Sequence, residues 1–183
     1  MIRSIVFRLL YWKNKLFLPN VKLKGYCVIF KFLDSEIRLG SGVINSSFTS
    51  NMLGLWQRTI IVARYGGKIE IEDGFGISGS TIYSTEHIKI GKNATIGANC
   101  KIIDNDFHPL DPEQRRQNLN KEYTRRAPIL IGDDCFIGMN SIILKGTTIG
   151  NNVVVGAGSV VHGTFPDNCI IAGNPARIIK YLE

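Results

Sequence analysis

Between residues 131 and 165, an aliphatic residue recurs at every sixth position of the chain. The positions are Ile131, Ile137, Ile143, Ile149, Val155 and Val161, and a small or apolar residue stands four places after each of them. A period of six fits neither the 3.6-residue turn of an α-helix nor the alternation of a simple strand. It fits a chain that turns a corner every six residues and buries each aliphatic side chain by stacking one repeat on the next. The spacing therefore predicts a parallel β-helix.

A less regular version of this pattern precedes it. The positions concerned are Ile71, Ile77 and Tyr83 and then, after a slip of one residue, Ile90, Ile96 and Ile102. We predict an all-β solenoid over residues 21–175. Cys100 and Cys135 fall at inward positions of the repeats, so we expect them to be small core residues rather than disulfide partners.

The repeat is first interrupted at residues 51–58, where a loop should leave the solenoid. Loops that leave a solenoid on one face often form its binding surface. Trp56 lies inside this interruption. Its ring could stack on a sugar or could cover the core beneath the loop, and the sequence leaves both interpretations open.

The second interruption is longer and follows Ile102. An aliphatic residue is due at position 108, but His108 stands there, and the next residue in phase is Ile131. After the expected step of six, about 17 extra residues remain, which is longer than most connections and typical of functional loops. The segment is polar and bracketed by prolines. We predict that residues 108–128 form a loop that projects from one edge of the solenoid and encloses a substrate.

Three motifs follow one another along the chain: Asp-Phe-His-Pro-Leu-Asp-Pro at 106–112, the Ile-Gly repeats from 131, and Ala-Gly-Asn-Pro-Ala-Arg at 172–177. Together they resemble the hexapeptide-repeat acyltransferases, in particular the maltose/galactoside O-acetyltransferase branch. The resemblance covers about residues 71–181. It implies a left-handed parallel β-helix that works as a homotrimer and binds acetyl-coenzyme A between subunits. His87, His108 and His162 lack the paired spacing of the metal-dependent enzymes on this fold, so no metal is expected.

The chemistry implied by this resemblance needs a base. Transfer of an acyl group to a hydroxyl requires removal of the hydroxyl proton, and histidine suits this because its pKa lies near neutrality. His108 matches the catalytic position of the family, and we predict that it is the general base. Asp104, Asp106 or a backbone carbonyl would orient its second ring nitrogen. The candidate acceptor contacts are Trp56, Tyr83, Asn105 and Arg115.

The coenzyme site is carried over from the family by position. It falls at Gly138, Met139, Gly156, Ala157 and Arg177. Small residues let the pantetheine arm approach the backbone, and Arg177 could pair with a phosphate. Two departures stand out. Met139 replaces a small residue, and His162-Gly163 replaces a Thr-Lys pair near the nucleotide. His162 and Lys180 are therefore included as further coenzyme contacts.

We expect an acetyltransferase that moves the acetyl group of acetyl-coenzyme A to a hydroxyl of a sugar or surface-glycan precursor. Acetylation of an amino sugar or small amine would use the same base and remains open. A non-catalytic structural β-helix is a third interpretation. The formal net charge of +7 suits an anionic partner such as a coenzyme or a glycan. The basic residues are scattered and not interleaved with aromatics, so a nucleic-acid partner is not expected.

The two ends of the chain complete the expected organisation. Residues 1–20 mix apolar and basic residues and predict an amphipathic segment, which would either cap the solenoid or rest on an anionic membrane surface. The apolar run is too short to cross a bilayer and carries charges that a cleavable signal lacks. We expect a cytoplasmic protein, with the inner face of the membrane as the alternative location. Residues 176–183 should form a short terminal helix or tail that covers the open end.

Overall fold

The computed structural model of the protein describes Leu18 and residues 20–183. In this part of the chain, short strands wind around a three-sided prism, and two short helices lie in the one long excursion. The strands are β1 (Val21–Lys24), β2 (Val28–Lys31), β3 (Glu36–Leu39), β4 (Gly42–Asn45), β5 (Ile60–Ala63), β6 (Lys68–Ile71), β7 (Phe75–Ser78), β8 (Thr81–Ser84), β9 (His87–Ile90), β10 (Thr95–Ile96), β11 (Lys101–Ile103), β12 (Ile129–Ile131), β13 (Phe136–Ile137), β14 (Ile142–Leu144), β15 (Thr148–Ile149), β16 (Val154–Val155), β17 (Val160–Val161), β18 (Thr164–Phe165), β19 (Cys169–Gly173) and β20 (Ala176–Tyr181). The helices are α1 (Pro112–Arg116) and α2 (Asn120–Tyr123).

The strands form three sheets, one for each side of the prism. Sheet A has the order β1-β4-β7-β10-β13-β16-β19-β20, sheet B the order β17-β14-β11-β8-β5-β2, and sheet C the order β18-β15-β12-β9-β6-β3. Each strand lies beside the strand one full turn of the chain away, and the pairs are parallel up to the last one. This arrangement is the parallel β-helix that the six-residue period predicts.

The core consists of three columns of aliphatic side chains, one from each sheet. In sheet B the column runs through Ile61, Ile82, Ile102, Ile143 and Val161, all of them inaccessible to solvent. Sheets A and C contribute equivalent columns that contain the remaining repeat positions. Burial of this apolar surface is the main stabilising term of such a fold.

One position of the predicted repeat was wrong. Ile82, not Tyr83, occupies the inward column, because it follows Ile77 by five positions instead of the expected six. Gly79 takes a left-handed conformation in the turn between these two strands, with φ of 45°. The shorter step directs the side chain of Tyr83 outward, to the outer face of sheet B.

At the corner between sheets C and A, side chains of one turn accept hydrogen bonds from the backbone of a neighbouring turn. Asp133 Oδ1 accepts from Lys92 N (2.8 Å), Asn151 Oδ1 from Asp133 N (2.8 Å) and Asp167 Oδ1 from Asn151 N (2.7 Å). Short carboxylate and amide side chains are favoured in turns because they pair with nearby backbone donors in this way. The acidic residues of this corner therefore serve the fold.

The C-terminal end differs from its expected form. Residues 176–181 are not helical, since β20 pairs antiparallel with β19 and becomes the last strand of sheet A. Ile178, Ile179 and Tyr181 are residue types that favour a strand, and the exposed edge of β19 offers backbone partners. The predicted amphipathic segment falls on residues 1–20 and lies almost wholly outside the described residues. Within the described ranges, no helix has the length and apolar character needed to span a membrane.

Candidate active site

The long excursion leaves the solenoid at the corner between sheets B and C, after β11, and returns at β12. Its two ends are clamped together: Asp106 N donates to Arg125 O (3.1 Å) and Ala127 N donates to Asp104 O (3.0 Å). Asp111 caps α1 by accepting from Gln114 N at 2.9 Å, as expected of an aspartate before a proline-initiated helix. The loop is therefore a folded unit whose two ends are held together where it leaves the solenoid.

His108 stands at the start of this unit, with its side chain exposed. Its backbone N–H donates to Asp106 O at 2.7 Å, and its ring Nδ1 lies 3.0 Å from Asn120 Oδ1 on α2. An amide oxygen can only accept, so Nδ1 carries the proton and donates it. The lone pair of Nε2 then has no partner among the described residues and is available to accept a proton.

Asp104 and Asp106, the two aspartates considered as orienting groups for His108, bind other partners. Asp104 is fully buried and accepts from Ser84 Oγ (2.6 Å), Thr85 N (2.9 Å) and Glu86 N (2.9 Å), so it holds the neighbouring turn of the solenoid. Asp106 forms an ion pair with Lys145 at 2.5 Å. The partner of the His108 ring is Asn120, which sequence reasoning missed. No repeat or spacing relates a loop residue to a histidine 12 positions earlier.

A cavity of about 210 Å³ opens beside His108. Its lining comes from three successive turns of the solenoid and from the loop: Arg64, Tyr65, Tyr83, Thr85, Asn105, Phe107, His108, Asn120, Lys121, Thr124 and Arg126. Two predicted acceptor contacts, Tyr83 and Asn105, are thus brought together with His108. The Asn105 side chain accepts from Phe107 N at 2.9 Å and stabilises its left-handed backbone (φ 61°). The Phe107 ring lies 4.9 Å from that of Tyr83.

The other two predicted acceptor contacts lie elsewhere in the chain. Arg115 Nη1 donates to Pro109 O (2.9 Å) and Leu110 O (2.6 Å), so it holds the loop together. Trp56 is 68% exposed on the loop between β4 and β5, where Leu55 rather than Trp56 covers the core. Neither residue lines the cavity of its own chain.

Most of the predicted coenzyme contacts meet at the corner between sheets A and B. Gly97, Gly138, Gly156 and Ala172 stack there on successive turns, each directly after a paired strand residue. A Cβ at Gly138 would approach Ala157 N to 2.6 Å, so only glycine allows these turns to lie so close. Arg177 on β20 pairs with Ala172, which places it beside the same stack. Gly138 is buried by this stacking, so the exposed predicted contacts at the corner are Ala157 and, at its end, the cation Arg177.

Lys180 and His162 stand apart from this stack. Lys180 is exposed on β20 opposite Ile170. His162 follows β17 and is exposed at the corner between sheets B and C, on the side of His108. Within one chain, the His108 cavity and the glycine stack therefore occupy two different corners, with sheet B between them.

The thiol nearest the glycine stack is not a nucleophile. Cys100 is inaccessible to solvent, its Sγ donates to Gly138 O at 3.2 Å, and burial raises the pKa of the thiol. All four cysteines are buried. Among the described residues, no three His, Cys, Asp or Glu side chains are grouped so that they could hold a metal ion.

The sequence matches a family model described as the hexapeptide repeat of succinyl-transferase, over residues 87–102 and 128–162. Galactoside O-acetyltransferase of Escherichia coli (strain K12) is 30% identical over 170 residues, which is 91% of this chain and 81% of that protein. The chain therefore belongs to the hexapeptide-repeat acyltransferases, in the galactoside and maltose O-acetyltransferase branch, and its solenoid is a left-handed parallel β-helix.

Two solved structures extend the comparison. A maltose O-acetyltransferase from Clostridium difficile 630 is 31% identical with a TM-score of 0.59, covering 82% of this chain and 70% of that one. A hexapeptide-repeat acetyltransferase from Vibrio cholerae O1 biovar eltor, complexed with acetyl-coenzyme A, is 25% identical with a TM-score of 0.52, covering 97% of this chain and 78% of that one. The protein is an acyltransferase of the acetyltransferase type.

Proposed function

We propose that the protein transfers an acetyl group from acetyl-coenzyme A to a hydroxyl of a sugar or surface-glycan precursor, with His108 as the general base. The observation that carries this proposal is the contact of 3.0 Å between His108 Nδ1 and Asn120 Oδ1. With Nδ1 held by Asn120, Nε2 is left free beside a cavity lined by aromatic and polar side chains. Aromatic faces next to hydrogen-bonding groups suit a sugar ring, whose hydroxyls need partners and whose C–H faces pack on apolar surface.

The reaction needs one proton to move twice. Nε2 of His108 takes the proton of the acceptor hydroxyl while the oxygen bonds to the thioester carbonyl carbon. The carbon–sulfur bond then breaks, and Nε2 returns the proton to the leaving thiolate. The buried cysteines exclude a thiol nucleophile within the described residues, so direct attack by the acceptor is the simplest route. The coenzyme supplies the activated acetyl group.

The chain offers a fitting place for that donor. At the corner between sheets A and B, Ala157 is exposed next to Gly156, and Arg177 lies at the end of the glycine stack. Small residues at this corner let an extended pantetheine arm lie along it, and a guanidinium group pairs well with phosphate. The acetyl-coenzyme A complex of the Vibrio cholerae structure supports this donor, and the names of the galactoside and maltose O-acetyltransferases support a sugar acceptor.

The proposal includes a homotrimer, in which sheet B packs against a second copy of the chain. The outer face of sheet B is apolar apart from Thr81 and Lys101, and its exposed members include Val28, Phe30 and Leu144, each 37–38% exposed. Sheet C instead presents charged residues such as Glu36, Arg38 and Lys68. An apolar face of this kind is stabilised by association. Packing at sheet B would bring the His108 corner of one subunit toward the glycine stack of the next.

An acetyl-transfer assay tests the proposal. Release of free coenzyme A and acetylated product are followed with acetyl-coenzyme A and a panel of sugars, including matched hydroxyl and amino forms. We expect ester products, and we expect His108→Ala to lower kcat about 10²–10⁴-fold while coenzyme binding and folding persist. His108→Asn should be nearly as slow, because an amide cannot take up the proton. A folded His108→Ala protein with near wild-type turnover would remove His108 from the reaction, and amide products would redirect the proposal to N-acetylation.

A further inference from the structure

Resting on the proposed function, we propose that the acceptor is an anionic sugar, and that a carboxylate or phosphate group on it binds Arg64 in the His108 cavity. The galactoside and maltose acceptors named for the two relatives described above carry no such charge.

The surroundings of Arg64 favour the binding of an anionic ligand. Its guanidinium lies between two rings, 4.8 Å from the centroid of Phe32 and 4.5 Å from that of Tyr65. Its Nε is buried without a hydrogen-bond partner, and the group forms no ion pair with any described residue. Rings stacked on a guanidinium fix its position without neutralising its charge. A guanidinium that has no carboxylate partner among the described residues favours an anion supplied from outside the chain.

The remaining charges of the cavity have the same sign. Lys121 and Arg126 also line it, and no carboxylate does. The nearby acids are already paired: Asp104 is buried with its own donors, and Glu86 lies 3.5 Å from Arg126 Nε. Thr124 Oγ1, another lining group, is buried without a partner. The cavity thus has an excess of positive charge, carried by Arg64 and Lys121, because Glu86 offsets the charge of Arg126.

On the outer face of sheet C, by contrast, basic side chains have acidic partners. On sheet C, Arg38 pairs with Glu36 at 2.5 Å, Lys68 with Glu70 at 3.0 Å and Lys89 with Glu72 at 3.5 Å. A cavity of net positive charge raises the local concentration of anions and excludes cations. Amino sugars, which are cations at neutral pH, are correspondingly disfavoured as acceptors.

The positions of Arg64 and His108 set the size of the ligand. Arg64, Thr85 and Asn105 stand on three successive turns of the corner between sheets B and C, in the register of the strand pairs before them. Two strand spacings separate Arg64 from Asn105, which is about 10 Å of backbone. A single sugar ring with one anionic substituent can span that distance, with its reacting hydroxyl at His108.

Direct binding to three probes tests the inference without any need for catalysis. Galactose, galacturonic acid and galactose 1-phosphate share one ring and differ in charge, and ligand-observed NMR gives their Kd values for the wild-type trimer. We expect both anions to bind at least about tenfold more tightly than galactose, as a charged hydrogen bond provides. Arg64→Gln should lose roughly ten- to hundredfold in affinity for the anions alone. The ratio between the carboxylate and phosphate probes shows which anion the site prefers.

Two further variants keep the test decisive. Arg116→Gln removes an arginine of the 108–128 loop that is paired with Glu113 at 2.6 Å and does not line the cavity, and it should leave all three Kd values unchanged. Arg64→Lys retains the charge and should retain a preference for anions if Arg64→Gln does not fold. Equal binding of galactose and the two anions, or unchanged anion binding in folded Arg64→Gln, would overturn the inference. Anion binding without acetylation of any probe would instead count against the proposed function, so the two failures are distinguishable.

Discussion

At the scale of single residues, the proposed catalysis depends on the pair of His108 and Asn120. The hydrogen bond of 3.0 Å joins the first residue of the loop to the start of α2. An imidazole that is free to rotate would present Nε2 to the acceptor only part of the time, and either nitrogen could carry the proton. Asn120 thus has a positioning role, because it selects both the ring orientation and the tautomer.

Asn120→Ala should lower kcat about two- to tenfold, the worth of one neutral hydrogen bond. The KM for acetyl-coenzyme A should stay constant. Asn120→Asp should restore the rate, because a carboxylate also accepts from Nδ1, and it should move the rising part of the pH–rate profile to higher pH by stabilising the imidazolium. Steady-state kinetics over a range of pH measures both effects. Gln117→Ala, which removes a contact to Glu113 on the same loop, is the control. A purely structural role would give equal losses in Ala and Asp variants with an unmoved profile.

The sequence identifies some of these residues and not others, for physical reasons. His108 breaks a six-residue phase, so the start of the loop is visible in the sequence, and Asn105 lies close enough along the chain to reach the same cavity. Arg64 and Asn120 reach the cavity through the stacking of turns and the folding of the loop. Neither the stacking of turns nor the folding of the loop leaves a recognisable pattern in the neighbouring sequence. Asp104 and Asp106 were attractive partners by proximity, but backbone donors and Lys145 occupy their carboxylates.

At the scale of elements, sheet C carries a ladder of alternating charges on its outer face. Glu70 accepts from His87 Nε2 at 2.8 Å and lies 3.0 Å from Lys68 Nζ. The hydrogen bond from Lys68 lowers the pKa of Glu70 below its ordinary value of 4.5, with His87 adding to the effect and burial opposing it. The ionised carboxylate is therefore favoured in the folded state, and its contribution to stability is present at neutral pH.

Glu70→Gln should reduce the free energy of unfolding at pH 7 by less than about 1 kcal/mol, the usual worth of an exposed ion pair. Because the pKa of Glu70 is depressed on folding, the difference from wild type should shrink as pH falls below 4.5 and through the lower, folded value. Denaturant unfolding at several pH values measures this difference. Glu72→Gln, which loses only a 3.5 Å pair with Lys89, should have a smaller effect at neutral pH. A difference that persisted at low pH would have to come from packing.

The regular elements were the most predictable part of the fold. Six in-phase aliphatics require a stacked solenoid, and β12 to β18 follow from them directly. Prediction failed where a turn was one residue shorter, which misplaced Tyr83, and where an open sheet edge was available. Residues 176–181 carry no repeat, so the sequence did not show that the edge of β19 would make them a strand.

At the scale of the whole molecule, the two halves of the proposed site lie at different corners of the prism. The His108 cavity is at the corner of sheets B and C, and the glycine stack is at the corner of sheets A and B. The apolar outer face of sheet B separates them. If that face packs against a second subunit, each site takes its base from one chain and its coenzyme surface from another. Neither half would then work alone, although each chain carries both.

Subunit mixing tests this shared site most directly. His108→Ala removes the base, and Ala157→Trp fills the exposed coenzyme corner, so trimers of either variant alone should be nearly inactive. Co-expressed in equal amounts, with mixed trimers isolated through two different tags, the variants should recover about one third of wild-type transfer activity. Each site draws on two chains, and a trimer that contains both variants pairs an intact His108 with an intact Ala157 in roughly one site of three. Mixed trimers no more active than the separate variants would contradict a site shared between subunits.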